Sequence, residues 1–193
     1  MRACDNPLSS TALSRLSYHF DEGDEHDVIR RLEAQRWRGA LVGPEGSGKS
    51  TLLGCLEKLL CSRGFTTVKV ILRSGGCRLH LPAVASAALR AAFGAGEIKI
   101  LVIDGAEQMN GLFWMIVSRL VPRILITSHR EGLLPTLYRC GTDERLLAFL
   151  LTELLGEMTD PVRERAVELF RLHRGNIRAV LWNLYDMMPD MRG

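Results

Sequence analysis

Gly43-Pro44-Glu45-Gly46-Ser47-Gly48-Lys49-Ser50-Thr51 is the stretch that decides the fold, because it satisfies the pattern G-x-x-x-x-G-K-[ST]. Glycine at positions 46 and 48 permits backbone conformations that a Cβ atom would obstruct, so successive N–H groups can converge on one anion. A helix expected to begin near Lys49 adds unpaired N–H groups and the positive end of its dipole. The stretch, called here the glycine-rich loop (43–51), therefore predicts a cradle for the phosphates of a nucleotide.

Two side chains of the glycine-rich loop have separate expected roles. Lys49 is expected to reach the β- and γ-phosphates, and Ser50 is expected to offer its hydroxyl to Mg²⁺. An apolar run over 38–42 precedes the loop as a buried strand, and leucines at helical spacing follow it. This strand–loop–helix context argues against a glycine-rich turn that matches the pattern by chance.

A second apolar strand, over 98–103, is followed at once by Asp104. Open α/β sheets bind ligands at the carboxyl ends of their strands, so Asp104 is expected to bind a water of the Mg²⁺ ion. The alternative is a carboxylate that only caps the loop after the strand. No carboxylate follows directly, because the next residue is Gly105. Glu107 could polarise the attacking water if the loop curls like a helical turn, or it could be a surface residue.

Two more stretches supply candidates for contact with the γ-phosphate. The strand over 124–127 ends in Thr127 and Ser128, and one of these hydroxyls is expected to sense the γ-phosphate or orient water. Arg130 is a weaker candidate for a phosphate contact. In Gly-Asn-Ile-Arg at 175–178, Arg178 falls in the first turn of a helix, where it could reach the γ-phosphate or stand exposed with no such role.

The order of predicted elements indicates an α/β fold. Near-continuous apolar strands alternate with helices up to residue 141, which is typical of a parallel sheet covered on both faces. After 142 only helices are predicted, at about 143–155, 161–174 and 177–188. The predicted organisation is an N-terminal arm at 1–22, an α/β core at 23–141 and a C-terminal helical lid at 142–193.

Composition narrows the classes of partner and compartment. The 193 residues carry 25 basic and 22 acidic side chains, a net charge of +3 that does not by itself indicate nucleic acid, so DNA binding stays open. Five cysteines with no C-x-x-C pair are typical of a reducing compartment. No apolar signal core and no membrane span are visible. The expected location is the cytoplasm.

Three other nucleotide-binding classes fit less well. Ser74-Gly-Gly-Cys77 is similar to the signature of ABC transporter ATPases, but it follows the glycine-rich loop too closely for their inserted helical subdomain. A GTPase would need an N-K-x-D motif after Asp104, and no lysine follows Lys99, so adenine and hence ATP are favoured by elimination. A small-molecule kinase would need clustered arginines in its lid, and those of the C-terminal helices are scattered.

Taken together, the glycine-rich loop, the acid-tipped strand, the hydroxyl-tipped strand and Gly-Asn-x-Arg resemble the AAA+ and STAND-like ATPases of the P-loop superfamily. The resemblance covers residues 25–188. It implies a P-loop NTPase three-layer sandwich with about five parallel strands, the P-loop strand central, and a small three-helix lid. It also implies Asp104 as the Walker B acid, Thr127 or Ser128 as sensor 1 and Arg178 as sensor 2.

The same resemblance implies a Mg²⁺-dependent ATPase that couples nucleotide state to an unknown protein partner, with self-association as one form of that coupling. The chain departs from the family at Gly105, which stands where a catalytic glutamate is usual. That departure keeps open an alternative, a nucleotide-loaded switch or assembly module with little or no hydrolysis. No arginine finger can be assigned from the sequence.

Overall fold

The computed structural model describes residues 17–72, 77–94, 96, 98–156 and 159–187, with only the backbone of 77–81. Its helices are α1 Glu25–Ala34, α2 Lys49–Ser62, α3 Cys77–Phe93, α4 Gly111–Leu120, α5 Glu144–Leu155, α6 Asp160–Leu172 and α7 Ile177–Met187. Its strands are β1 Arg38–Val42, β2 Phe65–Ile71, β3 Ile98–Asp104, β4 Ile124–Ser128 and β5 Thr136–Arg139, and a 3₁₀ turn covers Ala106–Gln108.

The five strands form one parallel sheet in the order β2-β3-β4-β1-β5. The predicted α/β sandwich with about five parallel strands is confirmed. One implication of the resemblance is wrong, because β4 and not β1 occupies the middle of the order. β1 still lies inside the sheet, and Val42 is in register with Ser128. Since all strands run the same way, β1, β3 and β4 end at one edge of the sheet.

Burial explains why these segments became strands. Ile100 to Ile103 in β3 and the whole of β4 are buried, as expected for strands covered on both faces. One hydrophobic core joins β1, β3 and β4 to the apolar sides of α3 and α4. Full burial of one large aliphatic side chain stabilises a fold by about 1.5–3 kcal/mol. The continuous apolar runs in the sequence therefore encode the interior of the sheet.

Two helices begin at places that differ from the prediction. The alanine-rich helix was expected at about 82–93, but it starts at Cys77, so Pro82 lies inside it. The helix expected near 108–119 starts at Gly111, because the Asn110 side chain accepts a hydrogen bond from the Leu112 N–H at 2.9 Å and caps it there. The glycine-rich break at 74–76 and the arm as far as residue 16 lie outside the described residues.

The chain divides into two compact units. One contains the sheet and comprises Phe20–Gly43 and Leu52–Arg139; the described parts of the other are 17–19, Pro44–Thr51, 140–156 and 159–187. In the second unit, α5, α6 and α7 share a hydrophobic core that includes Leu151, Phe170 and Leu181. The predicted domain boundaries at 22/23 and 141/142 stay a prediction. No helix among the described residues has the length and apolar character that crossing a bilayer requires.

Candidate functional site

The glycine-rich loop joins the end of β1 to the start of α2. Gly43, its first residue, donates its N–H to the Ser128 carbonyl at 3.2 Å, which ties the beginning of the loop to the end of β4. Gly46 and Gly48 have φ of +77° and +79°, the left-handed conformation that glycine adopts without strain. α2 then begins at Lys49, as the sequence predicted.

The conformation of the loop is also fixed by hydrogen bonds within it. The Pro44 carbonyl accepts from the Ser47 hydroxyl at 2.8 Å and from the Lys49 ammonium at 2.6 Å. Ser47 and Lys49 are both buried, whereas Pro44, Glu45 and Ser50 are exposed and Thr51 is half-buried. The hydroxyl of Ser50 therefore lies at the exposed first turn of α2, where a metal ion can approach it.

The two left-handed glycines also have little room for a side chain. A Cβ atom on Gly46 would lie 2.1 Å from Asn176 Oδ1, and one on Gly48 would lie 3.1 Å from the ring of Tyr18. Both contacts are within the second unit. Asn176 and Tyr18 thus lie directly beside the glycine-rich loop. Substitution at either glycine would strain the backbone and press on the neighbouring side chain.

Asp104 and Thr127 meet at the carboxyl edge of the sheet. The Thr127 hydroxyl donates to Asp104 Oδ1 at 2.5 Å and accepts the Gly105 N–H at 2.8 Å. Thr127 is buried, and its neighbour Ile126 is in register with Ile103, which sets the threonine beside the acid. The hydroxyl therefore fixes the orientation of the carboxylate and of the backbone that follows it.

Ser128 uses its hydroxyl differently. Its Oγ accepts the Arg130 N–H at 3.1 Å and donates to the Arg130 carbonyl at 2.8 Å. These bonds shape the turn after β4, so Ser128 serves the loop locally. The sequence left Thr127 and Ser128 as alternatives, and the structure brings only Thr127 into contact with Asp104.

Glu107 lies in the 3₁₀ turn, so the segment curls as the sequence hypothesis required. Its Oε1 lies 3.6 Å from Nδ1 of His129. Its Oε2 is buried and has no hydrogen-bond partner, the single such side-chain atom among the described residues. A carboxylate oxygen of this kind retains the capacity to accept a hydrogen bond from water. Glu107 is therefore more enclosed than an ordinary surface glutamate.

Gly105 has φ of +87°, and a Cβ atom there would lie 2.7 Å from the Leu72 carbonyl oxygen. Leu72 in turn donates its N–H to the Asp104 carbonyl at 2.8 Å, so the two backbones are held together at this point. A glutamate at position 105 would need a different backbone. The departure noted in the sequence is thus built into the local structure.

The Gly-Asn-Ile-Arg stretch forms the turn between α6 and α7. The Asn176 side chain accepts the Ala179 N–H at 3.1 Å and caps α7, as the sequence predicted. Arg178 follows in the first turn of α7 and is exposed. Its predicted role toward a γ-phosphate stays a prediction.

Sequence reasoning missed two residues of this site, Tyr18 and the loop contact of Asn176. The helix cap at Asn176 was visible in the sequence, but its second contact depends on the tertiary fold. Tyr18 lies in a segment without helical or strand periodicity, which offered no signal.

The oxygen donors present suit Mg²⁺. Ser50 and Asp104 offer a hydroxyl and a carboxylate, the hard ligands that Mg²⁺ prefers. Within the described residues no group of three or more His, Cys, Asp or Glu side chains could hold a metal ion by itself.

Comparison with solved structures finds proteins of similar fold. NtrX from Brucella abortus, solved in complex with ATP, matches with a TM-score of 0.53 and 14% identity, over 93% of this chain and 54% of that one. RuvB from Thermotoga maritima, a Holliday junction branch migration motor, matches with a TM-score of 0.50 and 16% identity, over 87% of this chain and 62% of that one.

At these identities the likeness shows the fold alone, and this chain spans about half to three-fifths of the length of those proteins. No family model matches the sequence, and no curated protein matches it. The sheet, the flanking helices and the two structural likenesses define an α/β protein with the fold of AAA+ P-loop NTPases.

Proposed function

We propose that this chain binds ATP with Mg²⁺, hydrolyses it, and couples its nucleotide state to contact with a protein partner. The observation that carries the proposal is the conformation of the glycine-rich loop. Two left-handed glycines directly precede the first turn of α2, so backbone N–H groups and a helix N-terminus are available together for a phosphate chain. The ATP complex of NtrX, a protein with this fold, supports the choice of ligand.

The residues of the chain take the following roles in this proposal. Lys49 would neutralise the β- and γ-phosphates, and Ser50 and Asp104 would hold the metal, Asp104 through water. Bound Mg²⁺ would supply charge neutralisation at the phosphate oxygens. Thr127, through its bond to Asp104, keeps that carboxylate oriented toward its ligand. Arg178 supplies a further positive charge from α7.

Glu107 is the proposed acceptor for the proton of the attacking water. The geometry that supports this role is its partly buried carboxylate, with one oxygen free of hydrogen bonds and the other facing His129. A general base must reach the water with a lone pair available. Glu107 has such a lone pair on its Oε2, and it lies three positions after Asp104.

A second candidate function is a nucleotide-loaded switch or assembly module with negligible turnover. Gly105 favours it, because the backbone at this position excludes the glutamate that the resemblance would put there. In such a protein the same loop holds ATP, and release or exchange of the nucleotide changes the partner contact.

Phosphate release separates the two functions. We expect wild-type protein with ATP and Mg²⁺ to release phosphate, Lys49→Ala to lose both binding and release, and Glu107→Gln to keep binding while its release falls about 10²-fold or more. ATP affinity is measured in parallel with a fluorescent analogue. Binding without release in the wild type would favour the switch, and absence of binding would overturn both functions.

Coupling to a partner is tested through assembly. Size-exclusion chromatography with and without ATP and Mg²⁺ would report self-association, and Lys49→Ala would remove any shift that depends on the glycine-rich loop. A shift that persists in Lys49→Ala would mean that assembly does not depend on bound nucleotide.

A further inference from the structure

The outward side of α4 is apolar where a surface helix is normally polar. Leu112, Met115, Ile116 and Leu120 lie along one side of α4 and are all exposed, whereas Val117 is buried; the accessible fractions of Leu112 and Ile116 are 66% and 52%. Spacings of three, four and eight residues place them in one stripe along the helix. We call these four residues the α4 stripe. Single exposed apolar residues are common, but a full stripe indicates a surface that is covered in use.

The neighbouring helix, α3, also exposes apolar side chains. α3 packs against α4 in the shared core, and its exposed side presents Leu89 and Phe93, one helical turn apart, with Phe93 71% accessible. Neither helix contains an aspartate or a glutamate. The exposed charges that the structure describes on them are Arg90 and Arg119, and Arg119 falls within the α4 stripe itself. The exposed large and charged side chains that the structure describes on these two helices are therefore apolar or positively charged, although the whole chain is close to neutral.

From the α4 stripe and its arginines, we propose that α3 and α4 form a docking surface for an acidic amphipathic helix of another protein. A helix is the fitting shape, because apolar side chains three and four positions apart on α4 pack against a partner with the same spacing. Acidic flanks are the fitting charge, because Arg90 and Arg119 have no carboxylate on either helix to balance them and oppositely charged rims speed and orient association.

Peptide binding tests this surface directly. The probe is a labelled synthetic helix of about 18 residues, roughly 27 Å long, with leucines at helical spacing and glutamates elsewhere. Its counterpart carries lysine in place of every glutamate. We expect fluorescence anisotropy to show at least about tenfold tighter binding of the acidic peptide, and weaker binding as salt is raised.

Two substitutions and one matched control locate the binding. Ile116→Glu removes an apolar anchor and repels an acidic partner, so it should lower the affinity for the acidic peptide by about tenfold or more. Arg119→Glu should remove the preference for the acidic peptide. Leu172→Glu, at an exposed leucine of α6, should leave the affinity for the acidic peptide unchanged. ATP affinity should be unchanged in all three, which shows that the variants are folded and keeps this proposal separate from the proposed function.

Three outcomes would overturn the proposal. The first is equal affinity for the two peptides, or an affinity for the acidic peptide that Ile116→Glu leaves unchanged. The second is a wild-type dimer, seen by light scattering, that Ile116→Glu converts to monomer, which would make a second copy the occupant. The third is sedimentation with vesicles of phosphatidylcholine and phosphatidylserine that Ile116→Glu abolishes, which would make a membrane the occupant.

Discussion

Gly46 is the residue at which the glycine-rich loop has least freedom to change. We predict that Gly46→Ala lowers stability by about 1–3 kcal/mol and abolishes ATP binding, because the new Cβ would meet Asn176 Oδ1 at 2.1 Å in a backbone of positive φ. Asn176→Ala alone should cost about 1 kcal/mol through loss of the α7 cap. In the double variant the cost of Gly46→Ala should be smaller than in the single variant, because the contact with Asn176 Oδ1 is removed. Urea unfolding of the four proteins measures the coupling.

Gly54→Ala is the matched control for this prediction. Gly54 lies within α2, and no atom beyond its own helix backbone would lie within 4 Å of a Cβ added there. Alanine should therefore stabilise the protein by about 0.5–1 kcal/mol. Additive losses in the cycle of Gly46 and Asn176 would mean that the two residues do not share the space described.

Thr127→Val tests the hydroxyl between Asp104 and Gly105. Valine fills the same volume but leaves the Asp104 carboxylate and the Gly105 N–H without this partner, so we predict a loss of about 1–3 kcal/mol in unfolding free energy. We also predict that ATP turnover falls more than ATP affinity, because the carboxylate loses its orientation. Urea unfolding and phosphate release are the measurements.

Thr136→Val provides the comparison, since Thr136 is exposed on β5 and the change should stay within about 0.5 kcal/mol. Equal stability of the Thr127 and Thr136 variants would contradict the importance of the buried hydroxyl.

Residue identities in the site could be predicted only as far as local sequence determines them. The left-handed Gly46 and Gly48 followed from the motif, and the Asn176 cap followed from its position before a helix. That Thr127 rather than Ser128 meets Asp104 depends on strand register, which a list of apolar runs does not contain. The packing of Tyr18 against Gly48 depends on tertiary structure alone. The assigned catalytic and metal-binding roles stay predictions.

At the scale of elements, α1 offers a test of local encoding. Asp24 accepts the Asp27 N–H at 2.9 Å, and the Asp27 side chain accepts the Asp24 N–H at 3.1 Å, which together form a capping box. We predict that Asp24→Ala lowers the unfolding free energy by about 1 kcal/mol in urea titrations. Glu33→Ala, at an exposed position of the same helix, should change it by less than about 0.5 kcal/mol. Equal losses in the two variants would show that the cap is not what stabilises the start of α1.

The bounds of an element could be predicted where a buried apolar run sets them, and less well where a helix cap sets them. β1 was expected at 38–42 and spans Arg38–Val42, because its apolar run is covered on both faces. The bounds of α3 and α4 were wrong because Pro82 is accommodated inside a helix and Asn110 moves a helix start. The 3₁₀ turn at 106–108 has no distinct periodicity and was seen only as a condition for the role of Glu107.

For the whole molecule, ligand linkage offers the most general test of ATP binding. A ligand that binds only the folded state at 100 times its Kd should stabilise that state by about 2.7 kcal/mol. We predict a rise in Tm with ATP and Mg²⁺, a smaller rise with ATP and EDTA, and none in Lys49→Ala. Thermal unfolding followed by circular dichroism is the measurement. A rise that survives in Lys49→Ala would place the nucleotide somewhere other than the glycine-rich loop.

The position of β1 between β4 and β5 has a consequence for synthesis of the chain. Both neighbours of β1 come later in the sequence, and β4 begins at residue 124, which is 124 − 42 = 82 positions after β1 ends. A growing polypeptide therefore emerges from the ribosome with this apolar strand unpaired until more than 80 further residues have followed. Such long-range pairing slows folding and leaves an exposed apolar segment that can aggregate. The molecule should consequently depend on chaperones that shield nascent chains more than a helical bundle of the same length does.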